Sequence, residues 1–172
     1  LQNNGRLLVG GSFTTIAGGS RNFIARLNTN GTLDSTFDPG FGANDIVRAV
    51  AVDGSGSVLV GGDFTTFNGA TRRRLVRLAS NGALDGTFNT GTNLNGPVSA
   101  ILVQPDGKIL IGGLFTQYDV SSRAYMARLN SDGSLDISFN PGPSLNNFVS
   151  ALGLLADGRV LAVGGFTAFS SI

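Results

Sequence analysis

Apolar and polar positions along this chain alternate in short blocks, not at helical spacing, and the blocks recur. Within 97–139, Val98-Ser-Ala-Ile-Leu-Val103 is an aliphatic, β-branched run that is apolar on both faces. Such a run predicts a strand covered on both sides. Pro105-Asp106-Gly107 predicts a tight turn with a left-handed glycine last, and Lys108–Phe115 returns as the second strand. That loop length pairs Gln104 with Lys108 and Val103 with Ile109. A polar loop follows over Thr116–Ser122, then a third strand over Tyr125–Asn130. Ser131-Asp132-Gly133 turns the chain into a fourth strand over Ser134–Phe139, and Asn140-Pro141-Gly142 breaks the pattern. Two hairpins in series make four antiparallel strands.

The block occurs three times at a spacing of 51 residues, and a fourth copy begins before the end of the chain. Gly10-Gly11, Gly61-Gly62 and Gly112-Gly113 precede Phe13, Phe64 and Phe115. Arg21, Arg72 and Arg123 form another column. Phe37, Phe88 and Phe139 close each copy. A fixed period of this length marks a propeller, solenoid or array, whose units cannot bury their apolar faces alone. Paired glycines inside a strand predict a bulge or a close backbone approach, and the phenylalanine after them is expected to plug the space between blades. In the fourth copy Phe166 keeps the step, but Val163 replaces the first glycine.

The second hairpin places Leu27 opposite Leu33 and Arg26 opposite Asp34, and the pairing recurs as Arg77–Asp85 and Arg128–Asp136. Opposite charges across an antiparallel pair contribute about 0.2–1 kcal/mol. The column therefore reads as an exposed register pin, not a site.

Composition agrees. Gly is abundant at 26 of 172 residues, charged residues are 13%, all 11 acids are Asp, and Lys108 is the one base that is not Arg. Residues suited to turns and strand ends displace the helix formers Glu and Lys. A net charge of +1 gives no case for nucleic acid, and Arg72-Arg73-Arg74 reads as loop scaffold. No apolar run reaches the length of a membrane-spanning helix. With no Cys and no His, disulfides, thiolate or imidazole metal sites and His-dependent triads are excluded. The chain begins mid-pattern at Leu1, as a piece of a longer polypeptide would.

Candidate chemistry is thin. Asn130, Asp132, Ser134 and Asp136 offer oxygens at alternating positions, like the start of a calcium loop. The same turn in the second copy is Ala79, Asn81, Ala83 and Asp85, too few ligands for a hard cation. Calcium is thus a minor possibility and no cofactor is expected. The acids outside repeat columns, Asp45, Asp63 and Asp119, are not paired in register as glycoside hydrolysis requires. The two tyrosines, Tyr118 and Tyr125, fall in columns with Phe67, Phe169 and Phe23, which reads as core. Phe41 and Phe148 are less regular, and Phe148 is placed to cap a strand. The segments least bound by the repeat are Ile16–Asn22, Asn68–Arg74 and Tyr118–Ala124. Their residues Ala17, Gly18, Arg21, Asn68, Arg72, Arg73, Tyr118, Asp119 and Arg123 are the candidate binding surface, since variable loops on a constant frame carry specificity.

Asp106-Gly-Lys-Ile-Leu-Ile-Gly-Gly-Leu-Phe-Thr116, with Met126-Ala-Arg-Leu-Asn-Ser-Asp-Gly-Ser-Leu-Asp136 and Phe139-Asn-Pro-Gly142, resembles the delta-60 repeat. This is a tandem β-propeller-like repeat of large bacterial proteins, many of them secreted or surface-attached. The resemblance spans the chain and implies four-stranded blades, an extracellular or cell-surface setting and no catalytic residues.

The expectation is an all-β array of blades belonging to a partial propeller: 1–42 lacking its first strand, 43–93, 94–144, and 145–172 as a first hairpin only. A closed propeller uses four to eight blades, so two open edges invite pairing with another chain. The fragment belongs to a larger propeller, copies complete a ring, or the array stacks into a filament; the first is preferred. The expected function is a non-catalytic structural or adhesive module that meets a protein or glycan on a surface. The rivals are an accessory propeller of an extracellular enzyme and a self-assembling filament subunit.

Overall fold

The computed structural model describes residues 1–91, 94–141 and 145–168; Gly142 and Phe169, named above, lie outside the described residues. The chain forms two compact units, Leu1–Asp85 and Gly86–Ile172. All regular structure among the described residues is β.

In the first unit, β1 (Leu7–Gly10), β2 (Thr15–Ile16), β3 (Gly19–Ser20) and β4 (Ile24–Leu27) form one blade. A second contains β5 (Val47–Val52), β6 (Val58–Gly62), β7 (Thr66–Phe67), β8 (Ala70–Thr71) and β9 (Leu75–Leu78). In the second unit a blade contains β10 (Val98–Val103), β11 (Ile109–Gly113), β12 (Gln117–Tyr118), β13 (Ser121–Ser122) and β14 (Met126–Leu129). The hairpin β15 (Val149–Leu154) and β16 (Val160–Gly164) follows. The sheets run β5-β6-β9 and β10-β11-β14, while β1 pairs with β4.

The registers follow the turn chemistry. Val103 faces Ile109, the Gln104 N–H donates to the Lys108 carbonyl, and Gly107 has φ 82°. The expected fourth strand is shorter than the pattern suggests. It survives as one bridge per blade: Leu27–Leu33, Leu78–Leu84 and Leu129–Leu135. Asp136 Oδ1 accepts from the Ser138 N–H and hydroxyl, and Phe139 N–H donates to the Asp136 carbonyl, so the backbone curls out of the ladder. The loop expected over Thr116–Ser122 instead contains the two-residue hairpin β12–β13.

The paired glycines do two jobs. A Cβ on Gly62 would lie 2.1 Å from the Ile46 carbonyl oxygen, and one on Gly113 2.0 Å from that of Pro97. The first strands bulge opposite them, between Val47 and Ala49 and between Val98 and Ala100. The preceding glycine makes room for the next blade: a Cβ on Gly10 would lie 2.4 Å from Val47 Cγ1, and one on Gly112 2.5 Å from Val149 Cγ1.

Blade faces pack on one another within each unit. Leu8, Ile24 and Phe37 of the first blade meet Val58, Val60 and Val76 of the second, with Phe64 plugged among them. Met126 and Phe139 similarly meet Val149, Ala162 and Phe166 in the second unit.

Candidate functional site

The candidate surface is built on β2–β3, β7–β8 and β12–β13. In the first two, the turn residues Ala17-Gly18 and Asn68-Gly69 all have positive φ (48°, 76°, 47° and 75°), as a type I′ turn requires. Ala17, Gly18, Asn68, Gly69 and Val120 are exposed. Behind each turn a bulky residue is held left-handed: Phe23, Arg74 and Tyr125 have φ of 64°, 69° and 64°. Each donates to a phenylalanine carbonyl, of Phe13, Phe64 and Phe115 respectively, and its own carbonyl accepts from Gly11, Gly62 and Gly113. Strained backbone is thus over-determined by bonds on both sides.

The candidate residues divide. Arg21, Arg72 and Arg123 each donate from Nη1 to the carbonyl of the preceding residue, Ser20, Thr71 and Ser122. They serve as loop scaffold. Arg73 is exposed and Asp119 half-buried. Asn68 is exposed, yet its Oδ1 accepts from the Phe41 N–H. Tyr118 departs from the binding set: it is buried, and its hydroxyl donates to the Gly133 carbonyl at 2.5 Å. Burial, helped by the charges of Asp119 and Asp132, holds its hydroxyl well above its usual pKa. A side chain at this place faces the core because its column otherwise carries phenylalanine.

A set of asparagines that sequence reading passed over braces these hairpins. Asn44 Oδ1 accepts from the Thr65 and Thr66 N–H groups while its amide donates to the Thr65 hydroxyl. Asn95 does the same to Thr116 and Gln117, and Asn146 to Thr167 and Ala168. The signal was present, since Asn44, Asn95 and Asn146 repeat at the period of Thr65, Thr116 and Thr167.

The Arg–Asp pairing has the expected register but not the expected exposure. Arg26 and Asp34 are 5% and 3% exposed, with Nε to Oδ2 at 2.7 Å. Arg26 also donates to the Ser80 carbonyl in the next blade's turn, and its guanidinium lies 4.9 Å from the Phe37 ring centre. Burial pushes the Asp34 carboxyl up, but bonds from Thr36 and Arg26 outweigh it and hold the pKa at about 2. Asp136 is held lower still, by Lys108, Ser138 and Arg128 against an opposing burial effect. The correction has a plain cause: the following blade's turn covers the pair.

The remaining acids are engaged locally. Asp63 takes both forks of Arg48 at 2.6 Å, and the bond raises the Arg48 pKa. Asp45 accepts from the Ile46 N–H. In the turn weighed for calcium, Asp132 accepts from Ser134 and Asp136 is bridged to Arg128 and Lys108, so those oxygens are committed to protein donors. No cluster of three or more His, Cys, Asp or Glu side chains gathers among the described residues.

Short antiparallel sheets that recur with the same registers, packed face on face, define a β-propeller repeat protein. A family model described as a domain of unknown function, DUF5122 beta-propeller, matches residues 2–37, 54–88 and 104–139, and the chain belongs to that family. Among solved structures it is similar to the extracellular domain of BT4673 from B. thetaiotaomicron, at 20% identity with a TM-score of 0.55. The match covers 94% of this chain but only 18% of that one, so the chain spans less than a fifth of its neighbour's length. No curated protein sequence matches the chain.

Proposed function

We propose that the chain is a non-catalytic interaction module of a bacterial extracellular protein, which meets a protein or glycan through its short hairpins. The observation that carries the reading is the contrast within each blade. The turns Ala17-Gly18, Asn68-Gly69 and Asp119-Val120 differ chemically, while the bonds that hold them recur. A constant frame presenting variable tips is how recognition is carried on rigid scaffolds. The extracellular setting is supported by the neighbour, itself an extracellular domain.

The test replaces all three tips with Gly-Gly, which a type I′ turn also accepts, and leaves the braces Asn44 and Asn95 intact. Binding to a glycan array and to an extracted bacterial surface-protein panel is compared with that of the native chain. Loss of a specific signal at unchanged thermal stability supports the reading. An unchanged binding pattern rejects the tips as the recognition surface.

A further inference from the structure

We infer that the ring of Phe41, with the amides of Asn22 and Asn68 that hold its backbone, is the stacking platform of a binding site for an uncharged saccharide. The site deepens the interaction-module reading, on which it rests, and places an aromatic centre outside the hairpin tips. Phe41 is 78% exposed, and an aromatic ring left in water forgoes the burial that makes such side chains stabilising. The repeat does not demand it, because the positions one and two periods later are Thr92 and Pro143. The glycine before it does recur. Gly40 and Gly91 have φ of 63° and 64°, and a Cβ on them would strike the side chains of Asn68 and Asp119 respectively. The same glycine approach is thus made in the second unit without an aromatic residue after it.

The backbone that carries the ring is pinned from the loop after β3 and from the β7–β8 tip. The Phe41 N–H donates to Asn68 Oδ1 at 3.1 Å, and the Phe41 carbonyl accepts from Asn22 Nδ2 at 2.8 Å. The Asn68 N–H donates to the Gly42 carbonyl at 2.7 Å, and Ala43 bridges Phe67. A binding group fixed before its ligand arrives loses little freedom on binding. Each amide spends one half on this clamp. Asn68 Nδ2 and Asn22 Oδ1 have no partner among the described residues, which leaves one donor and one acceptor beside Phe41. That combination fits a sugar. A pyranose has a face of polarised C–H groups, which packs on the negative face of an aromatic ring, and rim hydroxyls that both donate and accept. The clamp is also neutral where the repeat elsewhere is charged: Arg73 and Asp119 stand one period after Asn22 and Asn68. A protein partner fits less well, since an aromatic anchor in a protein interface is ringed by further contacts that exclude water. Among the described residues of this unit the other exposed large apolar side chains, Leu1, Leu7 and Val52, lie toward the opposite ends of the strands.

The experiment screens the purified chain against immobilised cello-, malto-, manno- and xylohexaose, with hyaluronan and polysialic acid as acidic comparisons, and titrates each hit by calorimetry. Phe41→Leu keeps the apolar bulk and removes the ring, Phe41→Tyr keeps the ring, and thermal unfolding verifies that both variants fold. The expected result is a single site for a neutral hexasaccharide, weakened about tenfold or more by Phe41→Leu and retained by Phe41→Tyr. A variant with Ala17-Gly18 and Asp119-Val120 changed to Gly-Gly and Asn68 kept distinguishes ring from tips. Unaltered saccharide binding by that variant supports the platform and counts against those tips. Equal binding by the native chain and folded Phe41→Leu overturns the platform and leaves the tips standing. Binding of the acidic polymers alone, of no saccharide, or of a surface protein in their place overturns the saccharide assignment.

Discussion

In the first unit Arg26 and Asp34 are 5% and 3% exposed and Arg26 donates to the Ser80 carbonyl, whereas in the second Arg128 is 22% exposed. This holds although both guanidinium groups lie over a phenylalanine ring (Phe37, Phe139) and both carboxylates take a second base (Arg6, Lys108). Both pairs have the same register and nearly the same Nε–Oδ2 distance, 2.7 and 2.8 Å. The covering turn makes the difference. Ser80 belongs to the blade after Arg26, and its carbonyl closes over the guanidinium. A repeat column thus fixes which atoms pair, while the neighbouring blade fixes how dry the pair is and how much its loss costs.

The largest effect should come from breaking the dry pair. Asp34→Ala leaves the Arg26 guanidinium buried without its carboxylate, and removing one partner of a buried pair costs about 3–5 kcal/mol. Asp136→Ala should cost clearly less, because Lys108 and Arg128 keep access to water. Urea denaturation of the two variants checks this, and equal losses would refute the role of the covering turn.

Next in size is the blade-docking glycine. Gly112→Val drives a side chain into Val149, and overpacking of this kind costs about 1–3 kcal/mol. The same column already holds Val163, which is 61% exposed. Val163→Gly should therefore cost about 1 kcal/mol or less, the usual entropic loss of an added glycine. Thermal unfolding of both variants gives the contrast; a cost for Val163→Gly equal to that of Gly112→Val would break it.

Much of this was legible in the sequence, for a physical reason. Strand registers are set by turn length and by a period of two, both visible in Pro105-Asp106-Gly107 and in the Leu27–Leu33 pairing. The Gly-Gly columns announced close approach because few other roles explain glycine in a strand. What escaped was what depends on a neighbour. The burial of Arg26 comes from a carbonyl 54 residues away, and the shortening of the fourth strand from an Asx turn that competes with the ladder at Asp136. The asparagine braces were in plain view as a column but carried no apolar signal. Within the candidate surface, the turns at Ala17-Gly18 and Asn68-Gly69 follow from their glycines, and the burial of Tyr118 from its column with Phe67.

The pH dependence should probe the same buried carboxylate more gently. Asp34 is held at about 2, below the ordinary aspartate value near 3.9. A carboxyl depressed on folding stabilises fully above its unfolded pKa, and that stability is lost as pH falls through the folded one. Unfolding followed by urea from pH 6 downward should therefore weaken between about pH 4 and pH 2. The Asp34→Ala variant should lose part of that slope. An unchanged slope would mean that the Thr36 and Arg26 bonds do not hold the carboxylate.

The smallest expected effect is the control for all of these. Asp157 and Arg159 are also an Asp–Arg pair at 2.7 Å, but they lie two residues apart in an exposed turn and are 52% and 77% exposed. An ion pair in water gains little over its separately hydrated partners and gives up side-chain freedom to form, so its contribution is about 0–0.5 kcal/mol. Asp157→Asn retains an acceptor for the Arg159 N–H and removes only the charge. It should leave the urea midpoint within error. A loss approaching that of Asp34→Ala would show that the pairing geometry itself, not the cover of the next blade, carries the energy of these bridges.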